Sequence, residues 1–304
     1  MRVMVMPGED RSPLTGLDVE IIEGDLLDPD TLDDAVKGIQ GLYHLAAVYA
    51  VWTKDKTLQY RVNVDGTRTL FQRALKRKVK KIVFTSSIAA IGVAEGDALA
   101  TEETVFNQWQ YGNDYVMSKF ISEQVVRGMI ACGLPAVIVN PGYPFGPGDR
   151  MPTPTGKLIL SILNGDMKHY FDGGVCAVDV RDVARGHLLA MEKGEIGEGY
   201  LLANKAGNYT FGDFARLVGR VAGVEDVAVR KLPPKVLGAV GKIMEVVADV
   251  TGKPPQTTYK TSMYSTQNIW VDAKKAVSQL GLPQTPIEQS IEDAVEWFRN
   301  HHYV

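Results

Sequence analysis

The feature that most constrains this fold is an alternation of short apolar runs with helical stretches along the first half of the chain. The apolar runs are Val3–Val5, Val19–Ile22, Leu42–Leu45, Lys81–Thr85 and Ala136–Val139. The predicted helices between them lie near Asp30–Val36, Asn63–Lys78 and Asp114–Cys132. Strands that are nearly continuously apolar and alternate with helices are typical of a parallel sheet covered on both faces. The sequence therefore predicts an α/β fold.

The pattern changes after about Arg150. A proline-rich loop at Pro152–Gly156 is followed by a helical segment, a glycine-rich turn at Asp172–Gly174 and a mixed region. No internal repeat or low-complexity tract divides the chain. We expect residues 1–150 to form the sheet domain and residues 151–304 to form a smaller part that is interleaved with the last sheet elements.

Charge and composition exclude several classes of function. Lys and Arg number 33 against 36 Asp and Glu, and the formal net charge of -3 gives no reason to expect nucleic acid or an anionic membrane as partner. No apolar run approaches the ~20 residues of a membrane span. Cys132 and Cys176 are too few for a disulfide framework and lack metal-site spacing, so we expect no metal and a reducing, cytoplasmic setting.

Tyr115 and Lys119 stand four residues apart on a predicted helix, which places both side chains on one face. A phenol has a reference pKa of about 10, too high for ready proton exchange near neutral pH. A neighbouring ammonium stabilises the phenolate and is expected to lower the pKa of Tyr115. The pair then suits proton donation to a carbonyl oxygen while hydride reaches the carbon. Ser87, at the end of a strand, could hold that oxygen, and Ser86 is the competing assignment.

The pair alone is a weak signal, because a surface helix pair would give the same spacing, but its context is specific. The chain resembles the extended short-chain dehydrogenase/reductase family over essentially its whole length, and most closely its dihydroflavonol-reductase-like branch, which includes hopanoid-associated sugar epimerases. The segments that carry the resemblance are Gly24–Asp28, His44–Ala47, Asn63–Thr67, Thr85–Ala90, Tyr115–Lys119, Asn140–Asp149, Val178–Ala184 and Ala294–Phe298.

The resemblance implies a Rossmann-like, doubly wound parallel sheet that binds a dinucleotide within residues 1–150, and a substrate-binding part within residues 151–304. It implies that Ser87 polarises the substrate carbonyl and that Tyr115 is the general acid. It implies that Lys119 tunes Tyr115 and holds the nicotinamide ribose. The branch favours NADP as cofactor, with NAD possible.

The resemblance also implies a set of cofactor contacts. Asp25 and Leu26 would lie along the adenine, and Pro141, Gly142 and Tyr143 would flank the nicotinamide. The remaining contacts would come from Ala46, Ala47 and Val48, which line the cleft, and from Asn63, which lies near the cofactor or braces the sheet edge. Two alternatives stay open: plain core packing for Ala46 and Ala47, and a turn-capping carboxylate for Asp25.

One departure from the family concerns the pyrophosphate. The family opens with a strand, a glycine-rich turn and a helix whose N–H groups meet the phosphates. Here Val3–Val5 matches the family's second strand, so we expect the dinucleotide-binding domain to lack its central first strand and to leave two strand edges without a neighbour. A mis-assigned start, a shortened piece and a genuinely short form remain open. We expect weak dinucleotide binding by the chain as numbered.

The loop after that strand usually separates NAD from NADP. An acidic residue at the strand end binds the ribose diol, and an arginine accepts a 2′-phosphate. Met6 occupies this position and favours neither cofactor. Arg11 is close enough in sequence to serve a phosphate, whereas Glu9 and Asp10 argue against it.

Three functions compete. The first is reduction of a ketone or aldehyde, the second is a sugar-nucleotide epimerase or dehydratase with tightly held NAD, and the third is a catalytically idle family member. Epimerase relatives usually carry an arginine where Gly173–Ala177 has no cation, and an asparagine where Tyr143 stands. Both departures favour the reductase.

Two further expectations concern partners. Val236–Val247 is apolar over much of a helix circumference, which favours an apolar carbonyl substrate, with ordinary core packing as the alternative. We also expect a homodimer formed through the helices Asn63–Lys78 and Asp114–Cys132. The side chains that could supply the buried contacts are Leu70, Phe71, Ala74, Phe120 and Val125.

Overall fold

The computed structural model of the chain describes residues 1–96, 98–227 and 230–304. Its strands are β1 (Arg2–Val5), β2 (Glu20–Glu23), β3 (Gly41–His44), β4 (Lys81–Thr85), β5 (Ala136–Pro141), β6 (Tyr143–Phe145), β7 (His169–Tyr170), β8 (Gly174–Asp179), β9 (Gly199–Leu202), β10 (Asn208–Thr210) and β11 (Arg230–Lys231). Its helices are α1 (Pro29–Ala35), α2 (Leu58–Tyr60), α3 (Thr67–Lys76), α4 (Asp114–Ala131), α5 (Pro154–Leu163), α6 (Val180–Lys193), α7 (Phe211–Ala222), α8 (Pro234–Thr251), α9 (Tyr259–Tyr264) and α10 (Ile287–Asn300). A π-helical stretch, Arg61–Gly66, joins α2 to α3.

The central sheet is parallel, with strand order β3-β4-β5-β9. Because side chains alternate along a strand, Ile82 and Phe84 of β4 enter the cluster beneath α3 and α4. Val83 lies on the opposite face and packs with Leu189 of α6. Helices therefore cover both faces, and the predicted doubly wound α/β fold is confirmed.

The N-terminal strands β1 and β2 form a separate parallel pair, in which Val3 lies opposite Ile21. Within the described residues, β1 carries a partner on one edge only, and β3 pairs only with β4. These are the two open strand edges that the sequence predicts. Arg2 ties this pair to the end of α1, because its Nη1 donates to the carbonyls of Asp34, Ala35 and Lys37 at 2.8–3.2 Å.

The residues after 150 contribute strands to two different sheets. β6, β8 and β10 form a second sheet with β8 in its centre. Phe145, Phe214 and Phe298 pack together in its core with α5, α7 and α10. β9, in contrast, is the edge strand of the central sheet. Residues before and after 150 therefore share the central sheet.

Helix α3 does not expose the surface that the dimer prediction assigned to it. Leu70, Phe71 and Ala74 are at most 4% exposed and lie in the core of their own chain, against Phe84. They cannot contact a second copy, and that part of the prediction is wrong. Among the described residues, no helix is both long and apolar enough to cross a membrane.

Candidate active site

The carboxyl ends of β3, β4 and β5 meet at one edge of the central sheet, which is the edge where open α/β sheets bind ligands. Helix α4 begins beside this edge because Asn113 caps it, with its Oδ1 accepting a hydrogen bond from the Val116 N–H at 3.0 Å. The first and second turns of α4 then carry Tyr115 and Lys119 on one face.

Ser87 follows β4 and approaches Tyr115. Its Oγ accepts a hydrogen bond from the Ala89 N–H at 3.1 Å, which fixes the side chain at the start of a short turn. The Ser87 hydroxyl interacts with the Tyr115 phenol and lowers the pKa of Tyr115 through hydrogen bonding. Catalytic hydrogen bonds commonly tighten only when substrate binds. Ser86 is buried, and its Oγ has no partner among the described residues.

Lys119 is 5% exposed, and its Nζ donates to the Thr85 carbonyl at 2.9 Å. Burial lowers the pKa of Lys119 to about 8, while the negative charge of Glu123 opposes that shift. The ammonium is therefore held at the end of β4, next to the position of Ser87.

The expected lowering of the Tyr115 pKa does not occur. Burial raises the pKa of Tyr115 above its ordinary value, and only the Ser87 contact opposes this shift. The Lys119 ammonium bonds to the Thr85 carbonyl, and the phenol is desolvated. The prediction that the neighbouring ammonium lowers the pKa of Tyr115 below its ordinary value is therefore wrong.

A buried polar brace, which the sequence analysis missed, holds Ser87 from behind. Asn140, at 0% exposure, donates from Nδ2 to the Ser87 carbonyl at 3.0 Å and to Glu123 Oε2 at 2.7 Å. Arg127 Nε donates to Glu123 Oε1 at 3.0 Å. Tyr115, Lys119, Glu123 and Arg127 follow one another at intervals of four residues on α4, and this spacing could have revealed the brace.

Three further phenols surround Tyr115. The Tyr49 ring centroid lies 4.3 Å from that of Tyr115. Tyr264 of α9 packs with Ala89 and with Tyr143 in adjoining clusters. Burial raises the pKa of Tyr143 and Tyr264. Tyr49 is 52% exposed, and since a phenol has a reference pKa of about 10, all three stay neutral at physiological pH. Sequence analysis found Tyr143 and missed the other two, which lie 66 residues before and 149 residues after Tyr115 in the chain.

Asn63 braces the loop that follows β3. Its Oδ1 accepts from the Val48 N–H at 2.7 Å, and its Nδ2 donates to the Val48 carbonyl at 2.9 Å and to Ser118 Oγ at 3.0 Å. Both amide hydrogens are used by the chain itself. Ala46 is exposed and Ala47 is half-buried, so the core-packing alternative for these two residues is wrong.

Gly142 lies between β5 and β6, where two backbones approach closely. A Cβ at this position would lie 2.6 Å from the Cys176 carbonyl, so only glycine fits. The N–H of Gly142 donates to the Leu202 carbonyl at 3.0 Å. Pro141 ends β5 and Tyr143 begins β6, which places the predicted Pro141–Tyr143 segment at the same edge of the sheet as Ser87.

The residues predicted to bind the adenine end are occupied by local contacts. Asp25 Oδ1 accepts from the Leu27 N–H at 2.8 Å, which is the turn-capping alternative. The Leu26 side chain is 6% exposed and belongs to the core beneath α3. The Arg11 guanidinium pairs with Glu23, at the end of β2, so it is not a free phosphate ligand.

The site fits one half of a nicotinamide dinucleotide. Neutral phenols, the buried Lys119 ammonium and the Ser87 hydroxyl supply chemistry that suits a nicotinamide riboside, and Ala46 at the sheet edge is exposed. In the described ranges, no glycine-rich turn that could offer N–H groups to a pyrophosphate joins a strand to a helix at this edge. The predicted weak dinucleotide binding stays a prediction.

Comparisons with known proteins agree with this architecture. The NAD dependent epimerase/dehydratase family matches residues 5–203. A Synechocystis protein provisionally named dihydroflavonol 4-reductase is 37% identical over 100% of this chain and 89% of its own length. Sterol demethylase protein B of Methylococcus capsulatus is 31% identical over 98% of this chain and 90% of its own length.

The crystal structure of gox2253 has a TM-score of 0.86 and 40% identity, and the match covers 99% of this chain and 90% of that one. The likeness therefore extends over sequence and structure alike. The chain belongs to the NAD-dependent epimerase/dehydratase family of the extended short-chain type, and it is an NAD(P)-dependent oxidoreductase.

Proposed function

We propose that the chain reduces a ketone or aldehyde to an alcohol, with Tyr115 as the general acid. The observation that supports this most strongly is the approach of Ser87 to Tyr115 beside the buried Lys119 ammonium. A bound NADPH would supply the hydride. The Ser87 hydroxyl donates a hydrogen bond to the carbonyl oxygen of the substrate, and the Tyr115 hydroxyl donates the proton.

Burial keeps the resting Tyr115 phenol protonated, as a general acid requires, and the role that we propose for Lys119 is to stabilise the phenolate once the proton has been given up. With a pKa of about 8, its amine is largely charged near neutral pH. One helical turn separates the two residues, so the ammonium favours charge on the phenol oxygen more than on the neutral phenol. The Glu123 and Asn140 brace keeps Ser87 at a fixed distance from both.

An apolar, ring-containing carbonyl compound is the substrate class that we propose. Tyr49, Tyr143 and Tyr264 present neutral aromatic surface around Tyr115, which suits stacking against a flat apolar substrate. The names of two relatives refer to dihydroflavonol and sterol chemistry, and both classes of compound are built on fused rings.

The epimerase alternative has one observation in its favour. A cavity of about 520 Å³ lies between the Tyr170–Gly173 segment and the Thr266–Asn268 segment, and its polar lining includes Arg216, Thr210 and Asn268. Arg216 could serve a diphosphate, but it already pairs with Asp213 at 2.8 Å. A nucleotide sugar at this position is the second candidate.

A substrate panel separates the two. Oxidation of NADPH and of NADH is followed with cyclohexanone, tetralone and dihydroquercetin, and UDP-glucose is tested for epimerisation. At saturating cofactor we expect ketone reduction, faster with NADPH, that falls by about 10²–10⁴ in Tyr115→Phe and is retained in Tyr259→Phe, a control on an exposed tyrosine. UDP-glucose turnover without ketone reduction would reverse the ranking. No turnover with any compound, despite cofactor binding, would favour the idle alternative.

We further propose a homodimer that uses α4, in a reducing, cytoplasmic setting. Trp109 is 61% exposed and packs edge-on against Phe120 of α4, with ring centroids 5.2 Å apart. Cys132 and Cys176 are both free thiols, which suits a reducing compartment. Sedimentation at micromolar concentration should give a dimer, and Trp109→Lys should shift it to monomer. A monomeric wild-type chain would contradict the proposal.

A further inference from the structure

Helix α8 packs with its small residues inward. Its fully buried positions are Gly238, Gly241 and Ala248. A Cβ on Gly241 would lie 2.5 Å from Ser262 Oγ and 2.7 Å from the Thr258 carbonyl, so α9 approaches the α8 backbone directly. The closest contact between α8 and the rest of the chain is therefore made through small residues.

The opposite face of α8 is aliphatic and exposed. Six large aliphatic side chains, each between 40% and 82% exposed, project from it: Val236, Val240, Ile243, Val246, Val247 and Val250. At 3.6 residues per turn, all six fall within an arc of about 120°, opposite the glycines. Nothing in the described part of the chain covers this arc. A surface helix ordinarily shows the reverse arrangement.

Positive charge accompanies this face. Residues 230–260 contain six Lys and Arg against two Asp and Glu, a net charge of +4 in a chain whose net charge is -3. Lys235 and Lys242 lie along one flank of the arc, and Lys253 follows the end of the helix. Of the two acidic residues, Asp249 pairs with Lys56 at 3.4 Å, and Glu245 lies 3.7 Å from Lys242, which leaves Lys235 and Lys253 as the flanking cations outside such a pair among the described residues. The face is therefore complementary to an apolar surface bordered by negative charge.

The aliphatic face ends near the candidate active site. Asp249, in the last turn of α8, accepts a hydrogen bond from Trp52 Nε1 at 3.0 Å. Trp52 belongs to the loop after β3 that also carries Tyr49, whose ring contacts Tyr115. An apolar substrate that approaches the chain along the outer face of α8 would therefore arrive close to Tyr115. This access argument rests on the proposed function, whereas the surface itself does not.

We propose that the outer face of α8 docks on the surface of an anionic phospholipid bilayer, with the helix parallel to the membrane plane. The aliphatic arc would enter the boundary between headgroups and acyl chains, and the flanking lysines would meet phosphate groups. At 1.5 Å per residue the helix is about 27 Å long, and it lies on the bilayer without crossing it.

Cosedimentation of the full chain with vesicles tests this docking without cofactor or substrate, so failure of the proposed reaction leaves the result unaffected. The vesicles are phosphatidylcholine alone, or phosphatidylcholine and phosphatidylglycerol mixed three to one. We expect binding to the anionic vesicles that weakens about tenfold or more in Ile243→Asp/Val247→Asp, because two aliphatic side chains lose their burial. Lys235→Gln/Lys242→Gln should weaken it about tenfold and reduce its salt dependence.

The matched control is Leu188→Asp/Ile196→Asp, which places two carboxylates on exposed aliphatic positions elsewhere, and it should bind like the wild type. Circular dichroism checks that each variant is folded. The proposal is overturned if the wild-type chain binds neither vesicle, or if Ile243→Asp/Val247→Asp binds as well as the control. It is also overturned if the α8 variant only converts a dimer to a monomer, since the occupant would then be a second copy.

Discussion

Helices α4 and α8 are both 18 residues long, and both depart from the usual pattern of a surface helix, in opposite ways. Helix α4 turns polar side chains inward, where Ser118, Lys119 and Glu123 are at most 5% exposed. Helix α8 turns glycine and alanine inward and large aliphatic side chains outward. In both helices, the stability of the fold does not explain why these residue types occupy these positions.

The two helices differ in what the inward polar side chains of α4 and the outward aliphatic side chains of α8 contact. Burying polar groups on α4 is costly unless they are hydrogen-bonded, and Lys119 and Glu123 bond to Thr85 and Asn140 within the chain. The aliphatic residues of α8 have no such partners in the described residues. An inward polar face completed by internal bonds indicates a site, whereas an outward apolar face indicates a surface that something else covers.

Loss of the Tyr115 hydroxyl should have the largest effect. Tyr115→Phe removes the proposed general acid, and kcat should fall by about 10²–10⁴, the usual contribution of such a group. The free energy of unfolding should change little, because the ring and its contact with Tyr49 are kept. Steady-state reduction of the best ketone in the panel and chemical denaturation measure the two effects. Full activity in this variant would remove the catalytic interpretation of α4.

The brace on α4 should affect stability and pH dependence together. Glu123→Gln places an amide between the Asn140 and Arg127 donors, and we expect the free energy of unfolding to fall by about 2 kcal/mol. Glu123 raises the pKa of Lys119, so its loss should shift the alkaline limb of kcat/KM to lower pH. Glu192→Gln, on an exposed position of α6, is the control. A stability loss with an unmoved limb would make Glu123 a purely structural residue.

Adding a single methyl group to the buried face of α8 should destabilise the fold more than removing two methyl groups from its exposed face. Gly241→Ala forces a Cβ against the Thr258 carbonyl, and we expect a loss on the order of 1 kcal/mol in the free energy of unfolding. Val240→Ala, one residue away on the exposed face, should cost much less. Urea denaturation of the two variants measures the contrast. Equal losses would mean that the two faces of α8 are not as different as described.

The smallest effect is expected on the outer face of α8. Ile243→Asp/Val247→Asp should change the free energy of unfolding by no more than about 0.5 kcal/mol, since both side chains are already more than half exposed. Thermal and urea denaturation of the variant in the absence of vesicles give this value. A large destabilisation would show that the face is covered within the folded chain.

The sequence predicted the parts of the fold whose signal is local. The centres of β4 and β5 are continuously apolar, and Asn113 and Gly133 bound α4, so the predicted positions agree with the structure to within a few residues. The spacing of Tyr115 and Lys119 is likewise local. Their joint placement with Ser87 follows from parallel strands ending at one edge of a sheet.

The parts of the site that the sequence did not predict depend on contacts between residues that are far apart in the chain. Tyr264 reaches Tyr115 from 149 residues away, and the pairing of Arg11 with Glu23 depends on the adjacency of β1 and β2. Periodicity identified α8 as apolar, but it could not show that glycines face inward, because small residues carry little hydrophobic signal. The whole-chain charge of -3 concealed a positive region around α8.

The most direct test of the account is the pH dependence of ketone reduction in the wild type and in Lys119→Arg. Lys119 is charged below its pKa of about 8 and loses its proton above it, so wild-type kcat/KM should fall as pH rises through about 8. Arginine remains charged throughout this range, so the alkaline limb of the variant should move up by about one pH unit or more, at a lower maximal rate. A limb near pH 8 that persists in Lys119→Arg would show that another group controls the reaction, and would contradict the assignment of α4 as the catalytic helix.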